Sequence, residues 1–230
     1  MQKMTLMQHF RELKRRVVWS LAFFCAAFAM GLFVADALQS IITAPLFDVW
    51  AEPTMIYTGI ADGLAIQFSL AGLFALFISA PFVLYQVWRY VSPALKRDEK
   101  KIAVAVLLAS PILFLSGASF AYFILLPIMF AFFLQIAPET AAMMPNVKTY
   151  LVFSLDLLKA FGLAFQFPLI LILLNRTGVL SKKQLASMGR YFIVGIFIVA
   201  AVLTPPDIVS QIALALPLVV LFGLSFLFMV

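Results

Sequence analysis

"HFRELKRRVVWSLAFFCAAFAMGLFV", residues 9–34, carries the pattern on which the fold turns. Its first eight residues hold four bases (Arg11, Lys14, Arg15 and Arg16) and one acid, Glu12; the next eighteen, Val17 to Val34, hold no charge. A helix rises 1.5 Å per residue and the hydrocarbon of a bilayer is ~30 Å thick, so about 20 mainly apolar residues make a spanning helix. The run is too long for the ~7–15-residue core of a secretory signal and lacks a small-residue cleavage site. It reads as a retained first span.

The rest of the chain repeats the theme. Of 230 residues, 65% are hydrophobic and 11% charged, with a mean hydropathy of +1.10. A soluble domain of this length could not coat itself with so few polar groups, so the chain is read as integral to a membrane. Six spans are expected, at about 17–35, 66–91, 102–134, 150–175, 190–204 and 208–228, making an all-α, polytopic bundle and a single membrane domain over 1–230. Pro81, Pro111, Pro127, Pro168 and Pro217 fall inside these spans. The backbone groups they free need neighbouring helices or water, which argues for a packed bundle; Pro111 and Pro127 are the expected kinks of the long third span. Only sixteen residues separate Arg190 from Asp207, two of them Pro205 and Pro206, so the fifth span reaches roughly 22 Å and the bilayer must thin around it or be shielded from it. The single Cys25 excludes an internal disulfide and suits a packing role.

Lysine and arginine set the orientation. Lys3 and the four bases of the opening stretch precede span one; Arg89, Lys96, Arg97, Lys100 and Lys101 lie between spans two and three; Arg176, Lys182, Lys183 and Arg190 lie between spans four and five. That is fourteen of sixteen on one face, while the opposite loops carry only Lys148, and Lys159 sits within span four. Both termini are therefore expected in the cytoplasm. Placement beside apolar runs explains the net charge of +6 without nucleic acid.

Three acids stand on the basic face: Glu12, Asp98 and Glu99. Glu12 can pair with Arg15 or Arg16 one helical turn on, and Asp98 and Glu99 can lie at the start of span three, where the helix dipole favours anions. Alternatively these carboxylates receive a cationic partner, for which a guanidinium is the best-matched group because it binds bidentately. In span four, Asp156 and Lys159 are three apart on one face and Gln166 is seven further on roughly that face, so either an intrahelical pair forms near the non-cytoplasmic end with Gln166 bonding a neighbouring helix, or the stripe faces a bundle interior or water. The "TPPD" turn, Thr204 to Asp207, ends span five, and Asp207 can cap span six. The loop from Asp36 to Asp62, with Pro45 and Pro53, is expected to cap the groove and brace the bundle.

A solute transporter is the competing reading, but it would favour paired half-repeats and broken helices with charges at midplane, and no repeat is evident. Catalysis is not expected: the one histidine, His9, lies outside the spans, and no metal-ligand spacing or nucleotide-binding loop is present. No cofactor is implied.

Four stretches, in order along nearly the whole chain, resemble one family. "HFRELKRR" (9–16), "PFVLYQVWRYVSPALKRDEKK" (81–101), "YLVFSLDLLKAFGLAFQFP" (150–168) and "TPPDIVSQIALALP" (204–217) are similar to motifs of TatC, the multispanning receptor subunit of the twin-arginine protein translocase. The resemblance implies an inner-membrane protein that recognises twin-arginine signal peptides on folded cargo, with Glu12 and Glu99 contacting the arginine pair. His9, Arg15, Arg16, Pro93 and Asp98 would complete that site. It further implies single-span TatB-like and TatA-like partners, homo- and hetero-oligomers, and energy from the proton-motive force. The partners would gather at a concave polar groove involving Asp156, Lys159, Gln166, Pro168, Thr204, Pro205, Asp207 and Gln211. Gln166 departs from the pattern, since the family usually carries a glutamate there; glutamine keeps the hydrogen bonding but cannot ionise.

Overall fold

The computed structural model describes residues 6–50, 55–91, 97–136, 144–176, 178–203, 208–227 and 229. Among them the regular structure is helical, with one isolated bridge. Four helical segments are long and apolar enough to span a bilayer: Phe10–Phe33, Asp62–Tyr90, Val104–Ile136 and Val147–Arg176. They correspond to α1 (Leu6–Phe33), α3 (Asp62–Val91), α4 and α5 (Arg97–Phe120 and Leu126–Ile136), and α6 and α7 (Val147–Ala164 and Phe167–Arg176). The two remaining spans are α9 (Gly189–Leu203) and α10 (Ile208–Ser225), of 15 and 18 residues. At 1.5 Å per residue α9 is about 22 Å long, short of the hydrocarbon thickness as the sequence anticipates.

Two elements differ from expectation. Most of the Asp36–Asp62 loop is helix α2 (Ala35–Val49), which tolerates Pro45 in its interior. It packs on α3, α5 and α6. Two tyrosines hold it there: the Tyr122 hydroxyl donates to the Ile41 carbonyl at 2.7 Å, and that of Tyr150 to the Ile42 carbonyl at 3.0 Å. The segment braces the long spans. A short helix, α8 (Lys182–Ser187), follows the fourth span and begins in a capping box between Ser181 and Gln184. The Ser-x-x-Gln spacing announces it. Cys25, expected to be packed, is exposed on α1. On a helix read as lipid-facing, a small apolar thiol needs no protein partner.

Proline acts differently in each span. Pro81, Pro111 and Pro217 sit within continuous helix. Pro127 follows a π-turn, Ala121–Leu125, that joins α4 to α5. Proline has no N–H for the carbonyl four residues back and its ring crowds that carbonyl, so the ladder widens there. Pro168 breaks the fourth span, with Phe165 and Gln166 forming the turn between α6 and α7.

Two helix pairs approach closely at glycines. A β-carbon on Gly31 would lie 2.8 Å from the Ala71 Cα, and one on Gly117 would lie 2.8 Å from the Phe165 ring and strike the Phe161 carbonyl. Side-chain absence at these points lets α1 lie on α3 and α4 on α6, the small-residue contact by which membrane helices associate. The core follows from the second contact: Leu151, Leu155, Leu158 and Phe161 of α6 are buried with Leu70, Leu126 and Met129.

The loop before α3 is latched to the loop before α6. Val147 N–H donates to Ile56 O at 3.0 Å, and Ile56 N–H to Pro145 O at 3.1 Å. Asn146 caps α6 by accepting from Thr149 N–H at 3.0 Å while donating to Thr58. Buried Asp62 accepts from Lys148 at 2.9 Å and from Gly59 N–H at 2.8 Å. Lys148 is thereby tied to an acid across 86 residues of chain.

Candidate functional site

At the basic end, the helix of α1 carries Glu12 and Arg16 on one face, and their side chains form an ion pair. Arg16 is only 7% exposed. Its Nη1 also lies 3.4 Å from the Gln86 side-chain oxygen of α3, a weak hydrogen bond. Glu12 retains 18% side-chain exposure, so its carboxylate is sheltered and still reachable. Arg15 stands beside it, exposed.

A cavity of about 650 Å³ opens between α1 and α3 at this level, with Arg15, Arg16, Gln86 and Arg89 at one part of its wall and Trp19, Phe23 and Phe82 at another. Phe23 and Phe82 stack at 4.5 Å. Gln86 was not singled out from sequence, and Arg89 entered only as one of the bases that set the orientation. A polar Gln one turn before an arginine, near the end of an apolar span, was the available signal.

α4 begins at Arg97, so Asp98 and Glu99 belong to its first turn, at the end of the dipole that favours anions. His9 is carried by α1, and Asp98 and Glu99 by α4. Pro93, Thr204, Pro205 and Asp207 lie outside the described residues.

The fourth span divides the other predicted group. Asp156 and Lys159 form an intrahelical pair at 2.6 Å, with side chains 47% and 42% exposed. One turn on, a cleft of about 500 Å³ runs between α6–α7, α9 and α10, lined by Ala160, Leu163 and Phe167, by Gly195 and Val199, and by Leu218 among others. Its lining is mostly apolar, and it includes Pro168. Gln166 does not continue the Asp156–Lys159 stripe. Because α6 ends at Ala164, the turn before Pro168 directs Gln166 to α4, where its amide donates to Ser110 O at 2.7 Å and its carbonyl accepts from the Ser110 hydroxyl. Ser110 is buried. Gln211 donates to the Phe197 carbonyl at 3.1 Å and so ties α10 to α9.

Among the described residues no group of His, Cys, Asp and Glu could hold a metal ion. The arrangement offers two binding chemistries: the Glu12 carboxylate set among guanidinium groups at one end, and an apolar cleft between helices with an ion pair near its edge.

The family described as Sec-independent protein translocase protein (TatC) matches residues 8–217. Among curated relatives, the TatC of Azotobacter chroococcum mcd 1 is 40% identical over 99% of this chain and 89% of its own length. That of Aquifex aeolicus is 35% identical over 96% and 93%, and that of Escherichia coli K12 is 34% identical over 97% and 87%. A solved structure described as the crystal structure of the twin-arginine translocase receptor TatC superposes with a TM-score of 0.86 at 35% identity, covering 96% of this chain and 97% of the other.

Proposed function

Because the chain belongs to the TatC family of Sec-independent protein translocase proteins, we propose that it is the core receptor of a twin-arginine translocation system. All six spans act as one domain in the cytoplasmic membrane, with both termini on the cytoplasmic side, where lysine and arginine concentrate. Its work is recognition and assembly without bond-making chemistry.

The arginine pair of a cargo signal peptide docks on Glu12 and Glu99, and the apolar part of the signal packs along the bundle. The observation that carries this reading is the Glu12–Arg16 pair: a largely sheltered carboxylate already grips a guanidinium in the setting where the signal's own would arrive. Two arginines of the cargo can share or displace that contact, because a carboxylate offers about four acceptor sites. His9, Arg15, Pro93 and Asp98 position the two acids. Single-span TatB-like and TatA-like subunits then seat a helix in the apolar cleft of α6, α7, α9 and α10, beside Asp156 and Lys159, with Thr204, Pro205, Asp207 and Gln211 as further contact residues. The short α9–α10 hairpin thins the bilayer locally and lowers the barrier to passage.

Binding of a fluorescent Arg-Arg signal peptide to the purified protein tests the cargo site. Loss of one bidentate charged contact costs roughly 1.5–3 kcal/mol, so Glu12→Ala and Glu99→Ala should each weaken binding about ten-fold or more. A Lys-Lys signal should bind the parent protein more weakly. Unchanged affinity in both variants would sink the assignment.

A further inference from the structure

The cavity between α1 and α3 is not used by the carboxylate chemistry above. Its charged wall consists of Arg15, Arg16 and Arg89, with the Gln86 amide. The acid paired there is Glu12, bound to Arg16. Arg16 is more than nine-tenths buried, yet its Nε has no hydrogen-bond partner among the described residues. A buried guanidinium requires compensating charge and hydrogen bonds, and among the described residues one carboxylate, Glu12, stands beside three guanidinium groups, which makes this wall cationic. The complement is an anion with several acceptor oxygens.

Depth says which anion. Seventeen residues lead from Arg16 to Phe33 at the far end of α1, a rise of about 26 Å, close to the hydrocarbon thickness. Arg16 therefore lies where hydrocarbon gives way to headgroups, the level of lipid phosphates. Trp19, 60% exposed on the same wall, is the kind of residue that occupies this boundary. The aromatic part of the wall, where Phe23 stacks on Phe82, offers nothing to a free ion and a surface to an acyl chain.

We propose that this cavity binds an anionic phospholipid of the basic-side leaflet. Arg15, Arg16, Arg89 and Gln86 hold the phosphate, and Phe23 and Phe82 receive the upper acyl chain. The site adjoins the signal-peptide site and shares Arg15 and Arg16 with it, but it is engaged through guanidinium groups where the signal is engaged through the acids, and Arg89 and Gln86 belong to it alone.

The test titrates the purified full chain in detergent with phosphatidylglycerol, phosphatidylcholine or inorganic phosphate and counts bound molecules by native mass spectrometry. Phosphatidylglycerol should bind about ten-fold more tightly than phosphatidylcholine, the effect of roughly one charged contact. Arg89→Gln should lower phosphatidylglycerol binding and narrow its advantage over phosphatidylcholine, whereas Gln86→Leu, which removes a phosphate contact common to both lipids, should weaken both. Arg11→Gln, which removes a base of the same helix outside the cavity, should have no effect. Arg16→Gln is the strongest variant but also breaks the pair with Glu12, so Arg89→Gln decides the matter. Equal binding of the two lipids, or an equal loss with Arg11→Gln, would overturn the proposal. Displacement of the lipid by inorganic phosphate at comparable concentration would assign the cavity to a free ion and overturn it as well.

Discussion

On one face of α6, Leu151, Ser154, Leu155, Leu158 and Phe161 are buried in the bundle. On the other, Val152 and Leu163 are exposed and Asp156 and Lys159 half-exposed. The same helix is thus closed on one side at glycine distance and open on the other beside an apolar cleft. The closed face has satisfied its surface within the chain. The open face has not, and exposed apolar surface next to a paired charge suits a second helix: the apolar part supplies contact area and the pair a polar point of registration.

The sharpest way to break this contrast is to pry open the closed face. Gly117→Leu drives a side chain into the Phe161 carbonyl and the Phe165 ring, so its cost should sit at or above the upper end of the ~1–3 kcal/mol that overpacking incurs. Thermal unfolding of the purified protein measures it, and a variant as stable as the parent would show that α4 and α6 are not locked there.

Next in size is Gln166→Leu, which leaves the buried Ser110 hydroxyl and carbonyl without this partner and should cost about 2 kcal/mol in the same assay. Gln166→Glu separates polarity from shape. A neutral carboxylic acid can still donate to the Ser110 carbonyl and accept from its hydroxyl, whereas a carboxylate cannot donate. Cargo export should therefore survive in the Glu variant and fall in the Leu variant; equal export by both would remove the reason for a polar residue at this turn.

Smaller again is Gln211→Leu, which removes a hydrogen bond worth about 1 kcal/mol between α9 and α10. It should loosen the hairpin, measured as faster amide hydrogen exchange in α9, with the closed face of α6 unaffected.

The least effect on stability is expected from Asp156→Asn with Lys159→Gln, because a half-exposed intrahelical pair contributes ~0–1 kcal/mol. If the open face is a docking face, this double variant should nonetheless weaken photocrosslinking from Leu163 to a TatB-like helix. Unchanged crosslinking would move the docking site elsewhere.

Much of this was legible in the chain because it depends on neighbours in sequence. Six apolar runs give six helical spans, and the shortness of the fifth follows from the prolines at 205 and 206. Both intrahelical pairings weighed from spacing are formed, Glu12 with Arg16 and Asp156 with Lys159, since three or four residues make one helical turn. The capping box of α8 is also a one-turn signal, but it was not among the expectations drawn from the sequence. Helix α2 was not: a 15-residue segment with a proline and two acids gives a weak signal, and it is held in place by tyrosines from α6 and the π-turn. That Gln166 would bond a neighbouring helix was one of the two readings of the sequence and is what the structure shows; its place on the Asp156 face was wrong, because counting by 3.6 assumes an unbroken helix and Pro168 breaks it.

What the amino-acid sequence determined by itself is hydropathy, charge and one-turn spacing, and with them the spans, their lengths and the helical pairs. Only the tertiary structure decided that Arg16 meets Gln86 across 70 residues, that Lys148 meets Asp62 across 86, and that α6 is sealed on one face alone. The physical reason is that helix formation is settled by interactions within a turn, whereas a contact between helices depends on how small residues such as Gly31 and Gly117 let two distant stretches of backbone approach.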